Sequence, residues 1–161
     1  MTGGGSAPGG PAIAVLQAAL AAEQAACYGY GVVGAYLSGA AAARANADWI
    51  AHQRARDRLT ATISAAGADP VPPAVAYRLP VLVQSATQAR ALAVILEDRV
   101  AQAYIRLVGL SDQALRAEGA TQLRDAALRG TAWNHATVAF PGLQVTSLGG
   151  AGSTSAISEP G

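Results

Sequence analysis

The positions of the helix-breaking residues constrain the fold of this chain more than any other feature. A proline-rich segment, ADPVPPAVAYRLPVLVQ, stands between two pairs of alanine-rich stretches. Its prolines exclude a regular helix, and the segment is long for a loop inside a compact domain. Within each pair the break is short, around Ser38 and Gly39 in the first and at Gly109 in the second. The chain is therefore predicted to form two helical hairpins joined by one long crossover.

Four helices are predicted, and the fold class is all-α. Hydrophobic residues make up 52% of the chain while aromatic residues make up only 5%, and the excess is alanine, which favours closely packed helices over strands. Pro11 suits a first helical turn, Gly67 a helix end, and Ser85 with Gln88 a capping box. Ser111 is predicted as the N-cap of the last helix. The predicted helices span about 11–37, 42–66, 85–108 and 111–140.

Two short hairpins and one long crossover give the connectivity of ferritin-like four-helix bundles, with the helices running up, down, down and up. The sequence therefore predicts a single ferritin-like domain over residues 11–141. Residues 1–10 are glycine-rich and residues 142–161 are rich in Gly, Ser and Thr, so both are predicted to be disordered tails.

Charge and cysteine content exclude several function classes. The formal net charge is +1, and no basic block or arginine–aromatic run occurs, so nucleic-acid binding is not expected. A single cysteine, Cys27, excludes an intramolecular disulfide and a thiolate-rich metal site. The N-terminal residues lack a cationic signal region, and Gln17, Glu23 and Gln24 interrupt the apolar stretch that follows. We therefore expect a cytoplasmic protein that neither enters nor crosses a membrane.

Glu23 is the residue of the first helix most in need of an explanation. It stands in an otherwise apolar stripe with three-four spacing, so that the stripe shares one helix face: Ile13, Leu16, Leu20, Glu23, Cys27, Tyr30 and Gly34. A buried carboxylate without a partner is costly. Glu23 is therefore predicted either to pair with a cation or hydrogen-bond donors or to bind a metal ion.

Four segments carry a family resemblance: ALAAEQAACYGYGVVGAYL, HQRARDRL, YRLP and ALAVILEDRVAQAY. Together they resemble a bacterial ferritin-like family of uncharacterised function, whose alanine-rich members occur mainly in high-GC Gram-positive bacteria. The resemblance covers residues 12–141. It implies a four-helix bundle related to proteins that bind two irons between their helices, and it implies no established activity.

The chain departs from the di-iron pattern of such bundles. A ferritin-like centre takes one Glu from each of two helices and a Glu-x-x-His motif from each of the other two. Glu23 and Glu97 match the lone glutamates of the first and third helices. The residues three positions before His52 and His135 are tryptophan and alanine, so neither Glu-x-x-His motif is present.

Counting residues from the hairpin turns estimates which side chains lie level with the glutamates. With a first turn near residue 40, Glu23 is level with residues 57–58, and His52 lies roughly 8 Å away along the helix axis, which makes it a marginal partner. By the same count His135 lies roughly 15 Å beyond the level of Glu97, too far to share a centre with it.

Arg56 and Asp57 do lie at the level of the glutamates by this count. We predict a core ion-pair network of Glu23, Arg56 and Glu97, in which the guanidinium holds both carboxylates. The alternative is a reduced, single-metal site for iron or manganese, built from Glu23, Glu97 and either His52 or Asp57.

The leading interpretation of function is a non-catalytic binding or structural module that needs no cofactor. The alternative is an iron- or manganese-dependent oxidoreductase or an iron-handling protein. A third, weaker hypothesis is a small-molecule pocket near Trp49 and Trp133. Neither a Ser/His/Asp or Cys/His constellation nor a phosphate-binding loop is present in the sequence, so hydrolase and nucleotide-dependent functions are not supported.

Two further patterns in the sequence bear on packing. Tyr28, Tyr30 and Tyr104 are expected to pack ordinarily, each with its hydroxyl reaching solvent or a core carboxylate. The glycines of CYGYGVVGAYLSG weaken a helix, so close approach of another helix is expected to compensate. That helix belongs either to the same bundle or to a second copy in a homodimer, and the sequence leaves both open.

Overall fold

A computed structural model describes residues 9–134, and this part of the chain contains four helices and no strand. The helices are α1 (Gly10–Ala35), α2 (Gly39–Ala65), α3 (Ala86–Val108) and α4 (Gln113–Asn134). The prediction of an all-α, four-helix protein is confirmed over these residues. The predicted tails, apart from Gly9 and Gly10, and the predicted continuation of the last helix through His135 to residue 140 lie outside the described residues. No described helix is long and apolar enough to cross a membrane.

Three pairs of helices pack against each other: α1 with α2, α1 with α3, and α3 with α4. The short turns between α1 and α2 and between α3 and α4 make each of these pairs antiparallel. Hydrogen bonds give the direction of the third pair. Tyr30 of α1 contacts Glu97 of α3, while Glu23, earlier in α1, contacts Tyr104, later in α3. Therefore α1 and α3 also run antiparallel.

The core consists of two apolar clusters with charged residues between them. One cluster is built around Leu20, Ile63 and Leu107. The other contains Leu92 and Trp133 and lies towards the turn between α1 and α2. Many of the other buried residues are alanines, whose small side chains let the helices pack closely. The charged residues between the two clusters are therefore enclosed.

Residues 66–85 form the crossover from α2 to α3 and contain no helix or strand. Two glutamines of α1 hold its first part in place. Gln17 donates through Nε2 to the Asp69 carbonyl (2.7 Å) and accepts from the Val71 amide (2.7 Å), and Gln24 donates to the Val71 carbonyl (2.8 Å). These side chains satisfy backbone groups that a proline-rich segment cannot pair within itself. The crossover is thereby fastened along α1.

The turn between α1 and α2 is tighter and earlier than predicted. Helix α1 ends at Ala35 and α2 begins at Gly39, so the centre of the turn lies near residue 37 instead of residue 40. Gly39 has φ +55, in the left-handed region that glycine adopts without steric cost. The early turn shifts every estimate of which α2 residue lies level with a given α1 residue.

The caps of α3 and α4 differ in how well they follow the prediction. The predicted Ser85 cap is confirmed, since its side chain accepts a hydrogen bond from the Gln88 amide. In α4 the predicted cap at Ser111 is wrong. The neighbouring carboxylate of Asp112 accepts the Leu115 amide hydrogen bond at 2.9 Å, which is the N-cap geometry.

Glycines mark the places where helices approach most closely. A Cβ at Gly29 would lie 2.6 Å from the Leu96 side chain of α3, so the close approach expected near this glycine occurs within the bundle. A Cβ at Gly119 would lie 2.7 Å from the Leu107 Cβ and 3.0 Å from the Val108 amide nitrogen. At Gly31, within the same helix as Gly29, nothing lies within 4 Å.

The substitution Gly119→Ala is expected to lower the free energy of unfolding, by about 1–2 kcal/mol, because the methyl group meets rigid parts of α3. Gly31→Ala is the matched control and is expected to raise it by up to about 1 kcal/mol, because alanine is the better helix former and the space is open. Urea unfolding followed by circular dichroism measures both. Equal effects of the two substitutions would contradict the close packing of α3 and α4 at Gly119.

Candidate functional site

One ionisable side chain from each helix meets in a layer at the centre of the bundle. The four are Glu23 of α1, His52 of α2, Glu97 of α3 and Arg129 of α4. The first three are at most 1% exposed, and the side chain of Arg129 is 15% exposed. We call these four residues the charged layer. It holds two carboxylates and two basic groups, and Arg129 is the member that reaches towards solvent.

His52 bridges the two carboxylates. Its Nδ1 lies 2.7 Å from Glu23 Oε2, and its Nε2 lies 3.1 Å from Glu97 Oε1. A ring that donates to both oxygens must carry a proton on each nitrogen. Burial alone lowers the pKa of His52, but the hydrogen bonds and charges of Glu23 and Glu97 outweigh it and raise the pKa to about 9. His52 is therefore an imidazolium at neutral pH.

Glu97 accepts three hydrogen bonds at a single oxygen. Its Oε1 lies 2.6 Å from the Tyr30 hydroxyl, 2.9 Å from Arg129 Nε and 3.1 Å from His52 Nε2. Burial raises the pKa of Glu97, yet the hydrogen bonds and charges of His52 and Arg129 outweigh it and hold the pKa below its usual value. Its other oxygen, Oε2, is buried and has no hydrogen-bond partner among the described residues. Glu97 is thus ionised and contacts both cations.

Glu23 is satisfied on both oxygens. Oε2 faces His52, and Oε1 accepts a hydrogen bond of 2.8 Å from the Tyr104 hydroxyl. Burial, followed by the charge of Glu23, raises the pKa of Tyr104 well above its usual value. Burial, followed by the charge of Glu97, does the same for the pKa of Tyr30. Both tyrosines therefore remain protonated and act as fixed donors to the carboxylates.

The hydrogen-bond network continues from Tyr30 to the edge of the bundle. The indole Nε1 of Trp133 lies 3.0 Å from the Tyr30 hydroxyl and 2.9 Å from Asp48 Oδ2. Asp48 is half-buried, and burial raises its pKa. The guanidinium of Arg44 lies over the Trp133 ring, 5.8 Å from its centroid. Trp133 thus covers the layer on the side of the second apolar cluster.

The structure brings together three of the candidate residues, Glu23, His52 and Glu97, and leaves Arg56 and Asp57 outside. The guanidinium of Arg56 is bound to Asp57, with Nε at 2.8 Å from Asp57 Oδ1, and the two side chains are 35% and 65% exposed. The predicted role of Arg56 in the network is therefore contradicted. Ala55 is the residue of α2 that faces the core here. Arg56 follows it directly, and successive residues of a helix are rotated by about 100°, so the Arg56 side chain lies on a different face.

The estimate that His52 lies about 8 Å from the level of Glu23 is also wrong. Since the turn is centred near residue 37, Glu23 is level with residue 51 and therefore beside His52. Moving the turn by three residues moves the α2 residue level with Glu23 by six, because both helices are counted from the turn. Six residues correspond to roughly 9 Å, which accounts for the estimated separation of Glu23 and His52.

Arg129 was missed in the sequence, although a signal for it is present. The inward residues of α4 follow the same three-four spacing that identifies Glu23: Leu115, Gly119, Gln122, Ala126, Arg129 and Trp133. An arginine in that stripe needs a buried anion, and Glu97 supplies it. Asp48, four residues before His52 in α2, can be found in the same way.

The residues of the layer do not fit the two-iron centre that the family resemblance implies. Both ring nitrogens of His52 lie within hydrogen-bond distance of carboxylate oxygens, so in this arrangement neither nitrogen is directed at a position that a metal ion could occupy. Arg129 adds a second positive charge on the carboxylate of Glu97. Within residues 9–134 no group of three or more His, Cys, Asp and Glu side chains is arranged to hold a metal ion.

The tryptophans likewise have defined partners. Trp49 Nε1 donates to the Cys27 carbonyl at 3.1 Å, and Trp133 is bound within the network described above. Of the three tyrosines considered in the sequence, Tyr30 and Tyr104 reach core carboxylates. Tyr28 is 41% exposed and packs against Tyr77 of the crossover, with ring centroids 5.4 Å apart.

Comparison with known proteins identifies relatives but no activity. Residues 15–145 match a family described as a domain of unknown function, DUF4439. The fold is similar to the crystal structure of a conserved hypothetical protein, Rv2844, from Mycobacterium tuberculosis, with a TM-score of 0.77 and 32% sequence identity. That similarity covers 80% of this chain and 98% of the Mycobacterium chain. A comparison with curated proteins found no match.

Folding stability is expected to fall as the pH rises from about 6.5 to about 9. His52 has a higher pKa in the folded state, so its contribution is complete below the unfolded pKa and is lost as the pH passes the folded pKa. The contribution is of the order of 3 kcal/mol. Urea unfolding across this pH range measures it, with His52→Gln as the control that should show no such slope. A wild-type slope equal to that of the variant would contradict a charged His52.

Arg129→Gln is expected to lower the free energy of unfolding by about 3–5 kcal/mol, because it leaves Glu97 with one cation fewer in a buried site. Arg124→Gln, in the same helix, is the matched control. Arg124 is 68% exposed and pairs with its neighbour Asp125, so its loss should change stability by less than about 0.5 kcal/mol. Thermal and urea unfolding of the two variants compare them directly, and similar effects would count against a buried Arg129–Glu97 pair.

Proposed function

Because the chain belongs to the DUF4439 family, a domain of unknown function, its role must be inferred from its own residues, and we propose a non-catalytic binding or structural module. In this proposal the bundle is ferritin-like in connectivity, and the charged layer takes the place that a metal centre occupies in di-iron bundles.

The directions of the helices support the ferritin-like part of the proposal. Helix α1 is antiparallel to α2 and to α3, and α3 is antiparallel to α4. The order is then up, down, down and up. The crossover at residues 66–85 joins the two helices that run the same way, α2 and α3. One long crossover between two hairpins is the connectivity of ferritin-like bundles.

A single observation carries the rest of the proposal, namely the position of His52 between Glu23 and Glu97 at 2.7 and 3.1 Å. In a di-iron bundle, metal ions neutralise the inward carboxylates. Here the imidazolium of His52 and the guanidinium of Arg129 supply two positive charges for the two carboxylates. The layer is neutral as a whole, and its attractions are strong because water is excluded.

The enclosure of the layer argues for a structural role in preference to catalysis. Glu23 and His52 are 0% exposed, so a substrate reaches their reactive atoms only if the helices separate. Their acidic and basic atoms are also engaged with each other and with tyrosine hydroxyls. A general acid or base must instead lie within hydrogen-bond reach of a bound substrate.

The proposal predicts that the protein retains no stoichiometric metal. Purified protein is incubated separately with iron(II), manganese(II) and zinc(II), freed of unbound metal and analysed for its elements, and its melting temperature is measured with and without a chelator. We expect no retained metal and no effect of the chelator. Glu23→Gln is expected to lower the melting temperature, because it leaves the buried imidazolium of His52 without one of its two carboxylate partners.

Two variants make the metal measurement specific. Glu23→Ala removes a core ligand of the alternative metal site. Asp57→Asn removes the surface carboxylate that was considered as the third ligand in place of His52. Stoichiometric iron or manganese in the wild type that is absent from either variant would overturn the proposal in favour of the metal-dependent alternative.

A further inference from the structure

A cleft of about 480 Å³ lies between α1, α2 and the crossover. None of the four residues of the charged layer lines it. We propose that this cleft binds a small amphipathic anion. The apolar body of the ligand would lie against the prolines of the crossover, its anionic group would meet Arg56, and an N–H or O–H group would donate to Gln24. The inference does not depend on the chemistry of the charged layer.

The apolar wall of the cleft is rigid before any ligand arrives. It is formed by Pro70, Pro72 and Pro73 together with Val71. Proline fixes the backbone φ angle, and Val71 is held at both its amide and its carbonyl by glutamines of α1. A wall that is already ordered loses little entropy when a ligand binds. The volume also falls within the range of small-molecule sites.

Gln24 provides an unused acceptor at the cleft. Its side chain is only 8% exposed, and its Nε2 donates to the Val71 carbonyl at 2.8 Å. This hydrogen bond fixes the amide orientation. The amide oxygen, Oε1, accepts no hydrogen bond from the described residues. Gln24 Oε1 is not among the buried unsatisfied atoms of the described residues, so solvent in the cleft reaches it, and the N–H or O–H donor of a ligand can take the place of that solvent.

Arg56 provides the charge complementarity. Two of its nitrogens, Nε and Nη2, contact the same oxygen of Asp57, at 2.8 and 2.7 Å. A guanidinium has five N–H donors, so three remain for another acceptor. Asp57 is the more exposed partner of the pair, and its charge opposes that of an anionic ligand. Charge therefore favours a monoanion over a more highly charged ligand.

Cys27 also lines the cleft, and the protonation state of its thiol argues against a covalent bond to a ligand. Burial raises the pKa of the Cys27 thiol to about 11, with the charges of Glu23 and Asp57 acting in the same direction and that of Arg56 opposing them. The thiol is therefore protonated at neutral pH and is a poor nucleophile. Ligand binding in this cleft is expected to be non-covalent.

The test uses two fluorescent probes that differ in charge. Anilinonaphthalene sulfonate has an apolar body, one anionic group and an N–H donor, and N-phenylnaphthylamine is a neutral analogue without the sulfonate. We expect saturable, one-to-one binding of the anionic probe to the wild type. Arg56→Gln should weaken that binding about tenfold and leave the neutral probe unaffected, since the variant removes charge-assisted hydrogen bonds.

Three further variants place the probe in the cleft. Thr60→Trp, which fills the cleft from α2, should weaken both probes, and Asp57→Asn should strengthen binding of the anionic probe. Arg124→Gln is the control, because it removes an arginine from a surface pair of the same type on α4. Near-ultraviolet circular dichroism and unfolding curves verify that each variant is folded.

The proposal is overturned if the wild type shows no saturable binding, or if Arg56→Gln and Thr60→Trp both leave the anionic probe unaffected. It is also overturned if Arg124→Gln weakens the anionic probe as much as Arg56→Gln does, because binding would then follow net charge. Metal retention at the core would contradict the proposed function and leave this inference untouched.

Discussion

The pair of hydrogen bonds from His52 to Glu23 and Glu97 is the interaction on which the rest of the structure depends. It joins α1, α2 and α3 at one level, and the contact of Arg129 with Glu97 adds α4. None of these charges is stable in the core alone, so each requires the others in place. Because the partners meet only at one relative position of the helices, the charged layer also fixes how the helices align along the bundle axis.

The surroundings of the layer follow from the same requirement. Tyr30 donates a hydrogen bond to Glu97 and Tyr104 donates one to Glu23, and both tyrosine rings are buried in the core. Apolar clusters on both sides exclude water and so strengthen the electrostatic attractions. On the outside of α1, Gln17 and Gln24 hold the crossover in place. One helix thus carries the core carboxylate on one face and a preformed cleft on another.

Much of the fold was predictable because prolines and glycines act locally. The crossover and the Ser85 cap follow from steric and hydrogen-bonding rules that need no knowledge of distant residues. The burial of Glu23 was predictable for a similar reason, since helical periodicity assigns it to the apolar face. The identity of its partner was not. A turn misplaced by three residues changes which α2 residue is level with Glu23 by six residues, or roughly 9 Å along the helix axis. A difference of one residue, from Ala55 to Arg56, also changes which face of α2 a side chain occupies. Arg129 carried a usable signal in its spacing, whereas the tyrosine contacts depend on the register between helices.

The most direct measurement of the central claim is the protonation state of the His52 ring, observed by nitrogen-detected NMR on protein labelled at histidine. The chain has only two histidines, so the His52→Gln variant assigns the signals. The account predicts that both ring nitrogens of His52 carry a proton at neutral pH and that the ring titrates near pH 9. A neutral ring with one protonated nitrogen at neutral pH would show that His52 is not the cation between the two carboxylates.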